Sequence, residues 1–288
     1  MNVARTLVDA WTKTWGRTMS ADTAPTHLGA RIPGQAVIEE LLALQSKERP
    51  RSAFQRIFGV SPLSSESQTW YRGALGEVAV GRILENLGPE WLVLHAVPVG
   101  TGSTDIDHVL IGPAGIFTIN TKNHSGQPVW VAGRTLMVAG RKTRHLYNAA
   151  HEAARASKLL TAGAGFPVKV SAVVVIVEPK SLTIKARPEQ VAVVTAAQLL
   201  RWLHGFNPVL SPVELARISS VAVQPGTWHR RPAPQGDQLA LQRRFDGLRI
   251  LVNQARRRRA AWMLGVPALV FMTLTNLGAA VLHALGGR

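Results

Sequence analysis

The stretch GTGSTDIDHVLIGPAGIFTINTKNHSG, Gly100 to Gly126, holds the densest polar cluster of the chain and decides how the rest is read. Asp107–Ile111 and Ile116–Lys122 read as two strands joined by a Gly112-Pro113-Ala114-Gly115 turn. Side chains alternate along a strand, so Ile116, Thr118, Asn120 and Lys122 share one face, with Phe117, Ile119 and Thr121 on the other. A hairpin across 112–115 sets Asp107 at the far end of the partner strand, beside Asn120 and Lys122. A carboxylate, an amide oxygen and an ammonium then converge at one sheet edge.

Upstream, Tyr71–Leu87 reads as a helix closed by Gly88-Pro89. Within it Val80, Gly81 and Leu84 follow Glu77 at helical spacing, so Glu77 is not on an ordinary solvated face and needs a cation or donor nearby. Trp91–Pro98 suits a strand, and Trp130–Val138 a further strand or hairpin. Leu146–Ala162 is Ala-rich and helical. Val168–Val177 (VKVSAVVVIV) is a near-continuous apolar run, expected of a strand covered on both faces. Val191–Val194 is another short strand, Thr195 caps a helix to Leu203, and Ser211-Pro212-Val213-Glu214 opens the next with a capping box. Alternating helices and strands give an α/β domain with a mixed central sheet flanked by helices.

These residues carry a resemblance. RGALGEVAVGRILENL followed by TDIDHVLIGPAGIFTINTKNHSG is similar to the nuclease-related domain (NERD) family, whose fold is like that of PD-(D/E)xK nucleases, over roughly residues 68–185. The resemblance implies a restriction-endonuclease-like core and metal-dependent hydrolysis of phosphodiester bonds in DNA or RNA. It also implies roles: Asp107 as chief ligand of Mg²⁺ or Mn²⁺, Glu77 as ligand or orienter, and Lys122 as the group that positions a water. Asn120 stands where the family has a second acidic ligand, and an amide there removes one negative charge from the site. A catalytically inactive nucleic-acid-binding or scaffold module is therefore the alternative. Asp105, two positions before Asp107, shares its face on a regular strand and then compensates, whereas a turn around Gly102-Ser103 would send it elsewhere; both are open from the sequence. The helix that begins near Asn148 lacks the Gln expected of the family.

Other candidates are read more plainly. His108 is expected on the opposite face from Asp107 as a core or surface histidine, and His124 as a loop histidine. His145, His151 and Glu152 are too close in sequence to make a shared metal site. Arg141, Lys142 and Arg144 form a basic run, either a solvated loop or a nucleic-acid-binding phosphate track. No phosphate loop and no nucleophile elbow is present. The eight Trp residues form no base-stacking platform.

Composition bounds the whole. The 288 residues contain 33 Lys+Arg against 17 Asp+Glu, a formal net charge of +16, and no Cys. Thiolate catalysis and Cys-ligated metals are excluded, and an anionic partner is indicated. Half of the excess charge, +8, lies in residues 201–259. Residues 1–65 read as a peripheral arm with one short helix, Ile38–Leu44, and no secretory signal; packing and a partner contact are both open. The nuclease-like domain is expected over 66–205, and a helical, basic linker region over 206–259, with Gln224–Asp237 as a Pro/Gly-rich linker and Leu239–Gln254 as a basic helix. Ala260–Leu285 holds 26 residues without a formal charge, long enough for a single transmembrane helix with a kink at Pro267. Arg256, Arg257, Arg258 and Arg259 before it place the N-terminal domain on the cytoplasmic face of the cell membrane and are suited to anionic lipids.

Overall fold

A computed structural model describes residues 27–100, 104–229 and 236–286 of the chain. Residues 101–103, where a turn would redirect Asp105, and residues 230–235 of the expected 224–237 linker lie outside the described residues.

Nine strands form two sheets among the described residues. The larger runs β1 (Leu92–Pro98), β2 (Asp105–Gly112), β3 (Gly115–Asn123), β7 (Val170–Val177) and β9 (Val191–Thr195), in that spatial order. The first three strands are antiparallel; β3, β7 and β9 run parallel, so the sheet is mixed as expected. The apolar run in β7 is covered on both faces because it is central. Ala172, Val174 and Ile176 belong to one core layer, Val173, Val175 and Val177 to the other. A second sheet comprises β4 (Pro128–Ala132), β5 (Thr135–Val138) and β6 (Arg141–Thr143), all between β3 and β7, and β8 (Ser181–Ala186), which follows β7. Its spatial order is β6-β5-β4-β8; β4 and β5 are antiparallel neighbours and form the hairpin expected around Trp130–Val138, whereas β6 and β8 carry no strand signal in the sequence pattern. The Arg141-Lys142 run is thus an exposed strand rather than a loop.

Ahead of the sheets lie α1 (Gln35–Ser46), α2 (Ala53–Ile57) and α3 (Ser65–Leu84). Helix α3 starts six residues earlier than the sequence reading because Ser64 caps it, accepting from the Ser67 N–H at 3.2 Å. Its buried side is Tyr71, Ala74, Glu77, Val80, Gly81 and Leu84, a stripe at helical spacing. Gly76 brings α3 close to β3, since a Cβ there would stand 3.1 Å from that of Asn123. Helix α4 (His145–Ala164) covers the opposite face through Ala149, Ala153, Ala156 and Leu160, small residues that let it approach the sheet.

After β9 come α5 (Leu199–His204), α6 (Pro212–Ala222), α7 (Pro225–Trp228) and α8 (Gln238–Gly286). The capping box at Ser211 and Glu214 forms as expected. The start of the expected linker is corrected. Trp228 is 2% exposed in the same core as Ile218 and Leu94, and its indole N–H donates to the Ala222 carbonyl at 2.7 Å. An aromatic ring of this size outweighs the local Pro/Gly composition.

Helix α8 is one element from the basic stretch onward and stays helical through Pro267. Phe245 and Leu248 bury with Ile38, Leu41 and Tyr71, so α1, α3 and the first half of α8 share a core. Farther along, Arg258 and the Trp262 indole donate to the carbonyls of Arg56 and Ile57, each at 2.9 Å. Among the described residues no helix is long and apolar enough to cross a membrane. The side chains of Leu277 and of 279–285, part of the expected span, lie outside the described residues.

Candidate metal and phosphate site

Four residues singled out from the sequence meet at one end of the larger sheet. Asp107 sits in β2 and accepts a 2.5 Å hydrogen bond from the Thr121 N–H of β3. Asn120 and Lys122 follow on the β3 face that α4 covers, while Thr121 and Asn123 face α3 beneath Gly76. Glu77 reaches the site from α3 and is 5% exposed.

The electrostatics are those of acids confined together. Burial, then Asp107 and Asp105, hold the Glu77 carboxyl well above the usual carboxylate range, against the pull of Lys122. Burial also raises Asp107, opposed by Lys122 and by the Thr121 N–H. Asp105 is pushed up to about 7, first by burial and then by Asp107, with Arg31 opposing. Asp105 thus lies within electrostatic reach of Asp107, as its position on β2 suggests.

Glu152 is the residue that the sequence reading set aside. From α4 it accepts from the Asn120 amide nitrogen through both carboxylate oxygens, at 2.8 Å each. Burial raises it to about 7, and Asp107 and Lys122 act on it as well. Counting from Ala149, Glu152 lies one turn on, at the shoulder of the buried alanine stripe. That periodicity was the signal that could have found it.

Several acceptors here lack a partner. Glu77 Oε2, Asp105 Oδ2 and Asn120 Oδ1 are all buried and without a hydrogen bond. Buried acceptors of this kind are costly unless a cation or water satisfies them. Among the described residues no three His, Asp or Glu side chains stand together as a metal cage. The donors nevertheless suit a hard ion such as Mg²⁺, which takes one or two carboxylates and keeps much of its water.

The histidines divide. His108 is fully buried and shares a 2.8 Å Nδ1–Nδ1 hydrogen bond with His95 of β1, a core pair as expected of that face. His124 and His145 share a 3.0 Å Nε2–Nε2 bond with stacked rings, close to Lys122. Burial, then Lys122, lower both, His145 to about 4. His151 is exposed and stacks on Tyr147 instead.

At the end of β3 lies a cleft of about 610 Å³ lined by Arg72, Arg82, Asn123, His124, Arg249 and Arg256, among others. It lies between α3, the end of β3 and α8. Arg256, assigned from the sequence to lipid, therefore borders the domain. Arg141, Lys142 and Arg144 lie apart from this lining, and the Arg144 guanidinium sits 4.9 Å over the Tyr147 ring.

Residues 72–177 match the family model of the nuclease-related domain. Glu77, Asp107, Asn120, Lys122 and Glu152 all fall within that nuclease-related stretch, whereas α5 to α8 lie beyond it. An uncharacterized protein of Bacillus anthracis is 40% identical over 67 residues, 22% of this chain and 30% of the relative. The chain thus spans under a third of that relative's length. No solved structure matches the chain.

Proposed function

We propose that the nuclease-related stretch is the catalytic core of a divalent-metal-dependent nuclease that hydrolyses phosphodiester bonds of nucleic acid beside a membrane. The observation that carries this reading is the gathering of Glu77, Asp107, Asn120 and Lys122 at one sheet end, with unpartnered buried acceptors among them. Asp107, Glu77 and Asn120 would hold Mg²⁺ or Mn²⁺, which when bound stabilises charge on the scissile phosphate and lowers the pKa of a water. The Thr121 N–H holds Asp107 in place. Lys122 offers a positive charge at the same edge to orient the nucleophile and offset phosphate charge. The arginine-lined cleft at the end of β3 suits a phosphate backbone.

Digestion of plasmid DNA and of a structured RNA by the full chain, with Mg²⁺ and with EDTA, tests this. Cleavage that needs the metal and is lost in Asp107→Ala and Lys122→Ala is the expected result. Equal cleavage by all three proteins would place the chemistry elsewhere. Metal-independent binding without cleavage would instead favour the inactive module that Asn120 suggests.

The membrane reading rests on α8. Nine large apolar side chains between Trp262 and Leu274 are exposed, directly after the four arginines. Apolar surface of this extent indicates a nonaqueous neighbour. The arginines favour the cytoplasmic face and anionic lipid. Flotation of the full chain with phosphatidylglycerol vesicles is expected, and failure to float with any vesicle would remove the anchor.

A further inference from the structure

We propose that Glu152 supplies the metal-binding carboxylate that β3 lacks, with Asn120 as the residue that holds it in place. This rests on the metal-dependent reading above and names a ligand that neither the strand pattern nor the family resemblance assigned.

Three observations carry it. The Asn120 amide donates to both Glu152 oxygens, so the carboxylate is fixed beside the position where the strand would otherwise carry its own acid. A carboxylate oxygen has lone pairs beyond the one used by such a bond and can still bind a cation. Asn120 Oδ1, on a side chain 5% exposed, has no partner, so the pair presents a buried free acceptor rather than a closed structural bond. Finally, Glu152 lies within electrostatic reach of Asp107 and Lys122, the two groups that define the site. The charge lost from β3 is thereby restored from α4. A Glu152–Asp107 pair with the Asn120 oxygen gives two carboxylates and a carbonyl, a donor set in keeping with Mg²⁺ or Mn²⁺.

The test is calorimetric titration of MnCl₂ into the full chain in detergent, for the wild type, Glu152→Gln and the double variant Asn120→Asp/Glu152→Gln. Gln keeps an oxygen for the Asn120 amide but loses the charge. Mn²⁺ affinity is expected to fall at least about 10-fold in Glu152→Gln and to return to within about threefold of wild type in the exchanged pair. Unchanged affinity in Glu152→Gln overturns this proposal and leaves the nuclease reading standing. A wild type that binds no Mn²⁺ overturns both. Should Glu152→Gln lose its far-ultraviolet circular dichroism, the exchanged pair decides: a folded double variant that still binds weakly is evidence against a relocated ligand.

Discussion

The Asn120 amide nitrogen and both Glu152 carboxylate oxygens lie 2.8 Å apart, joining a strand to a helix across 32 residues of sequence. An acid at position 120 would face another acid at that distance. Asn120→Asp alone is therefore expected to destabilise the metal-free protein at pH 8 by about 1–3 kcal/mol. Thermal denaturation in EDTA reads this as a lowered Tm, and Mn²⁺ should restore most of it. An unchanged Tm in EDTA would mean the two side chains part in solution.

His95 and His108 give a pH dependence of known sign. Burial lowers His95 to about 4 and His108 well below its ordinary value, so both rings are neutral at pH 7, one donating and one accepting. The unfolded chain takes up protons near pH 6.5, before the folded one does. The stability that His95 lends is thus full above pH 6.5 and declines as pH falls toward about 4. The Tm advantage of wild type over His95→Gln should shrink between pH 7.5 and pH 5. A constant difference would show that the pair does not titrate as the burial requires.

The cleft predicts a salt signature. Arg72→Ala and Arg82→Ala should weaken binding of a labelled oligonucleotide similarly for all sequences, each lowering the slope of log K against log salt by about 1. Fluorescence anisotropy in EDTA across a salt series separates this from catalysis. Slopes equal to wild type would take the cleft out of the phosphate path.

Gly59 governs how α8 leaves the domain. Its φ is +69°, and a Cβ there would stand 2.4 Å from both the Ala255 carbonyl oxygen and the Arg259 nitrogen. Gly59→Ala should push α8 off α2, break the bond from the Trp262 indole to Ile57 and speed tryptic cleavage at Arg256 to Arg259. A tryptic time course that matches wild type would show that α2 yields instead.

Local pattern made much of this legible. The alternation in 107–122, the apolar run of β7, the capping box at Ser211 and the polar Glu77 on a buried helical stripe are short-range signals, and the structure contains each of them. The hairpin of the second sheet is legible around Trp130–Val138, but its edge strand Ser181–Ala186 is not, because that strand is mostly exposed and carries no two-sided apolar run. Trp228 was hidden in a Pro/Gly-rich segment whose composition resembles a linker.

The amino-acid order by itself determined the α/β layering, the face shared by Asn120 and Lys122 with Asp107 at its edge, and the concentration of arginines ahead of an uncharged stretch. These follow from residue periodicity and neighbouring charge, which act within one element. Tertiary structure alone decided that Glu152 meets Asn120, that Arg256 borders a cleft and that Trp228 belongs to the core. Each of those depends on where α4, α7 and α8 settle against the rest of the chain; periodicity can put Glu152 beside the buried stripe of α4, but which residue it meets there is set by packing across long sequence separations.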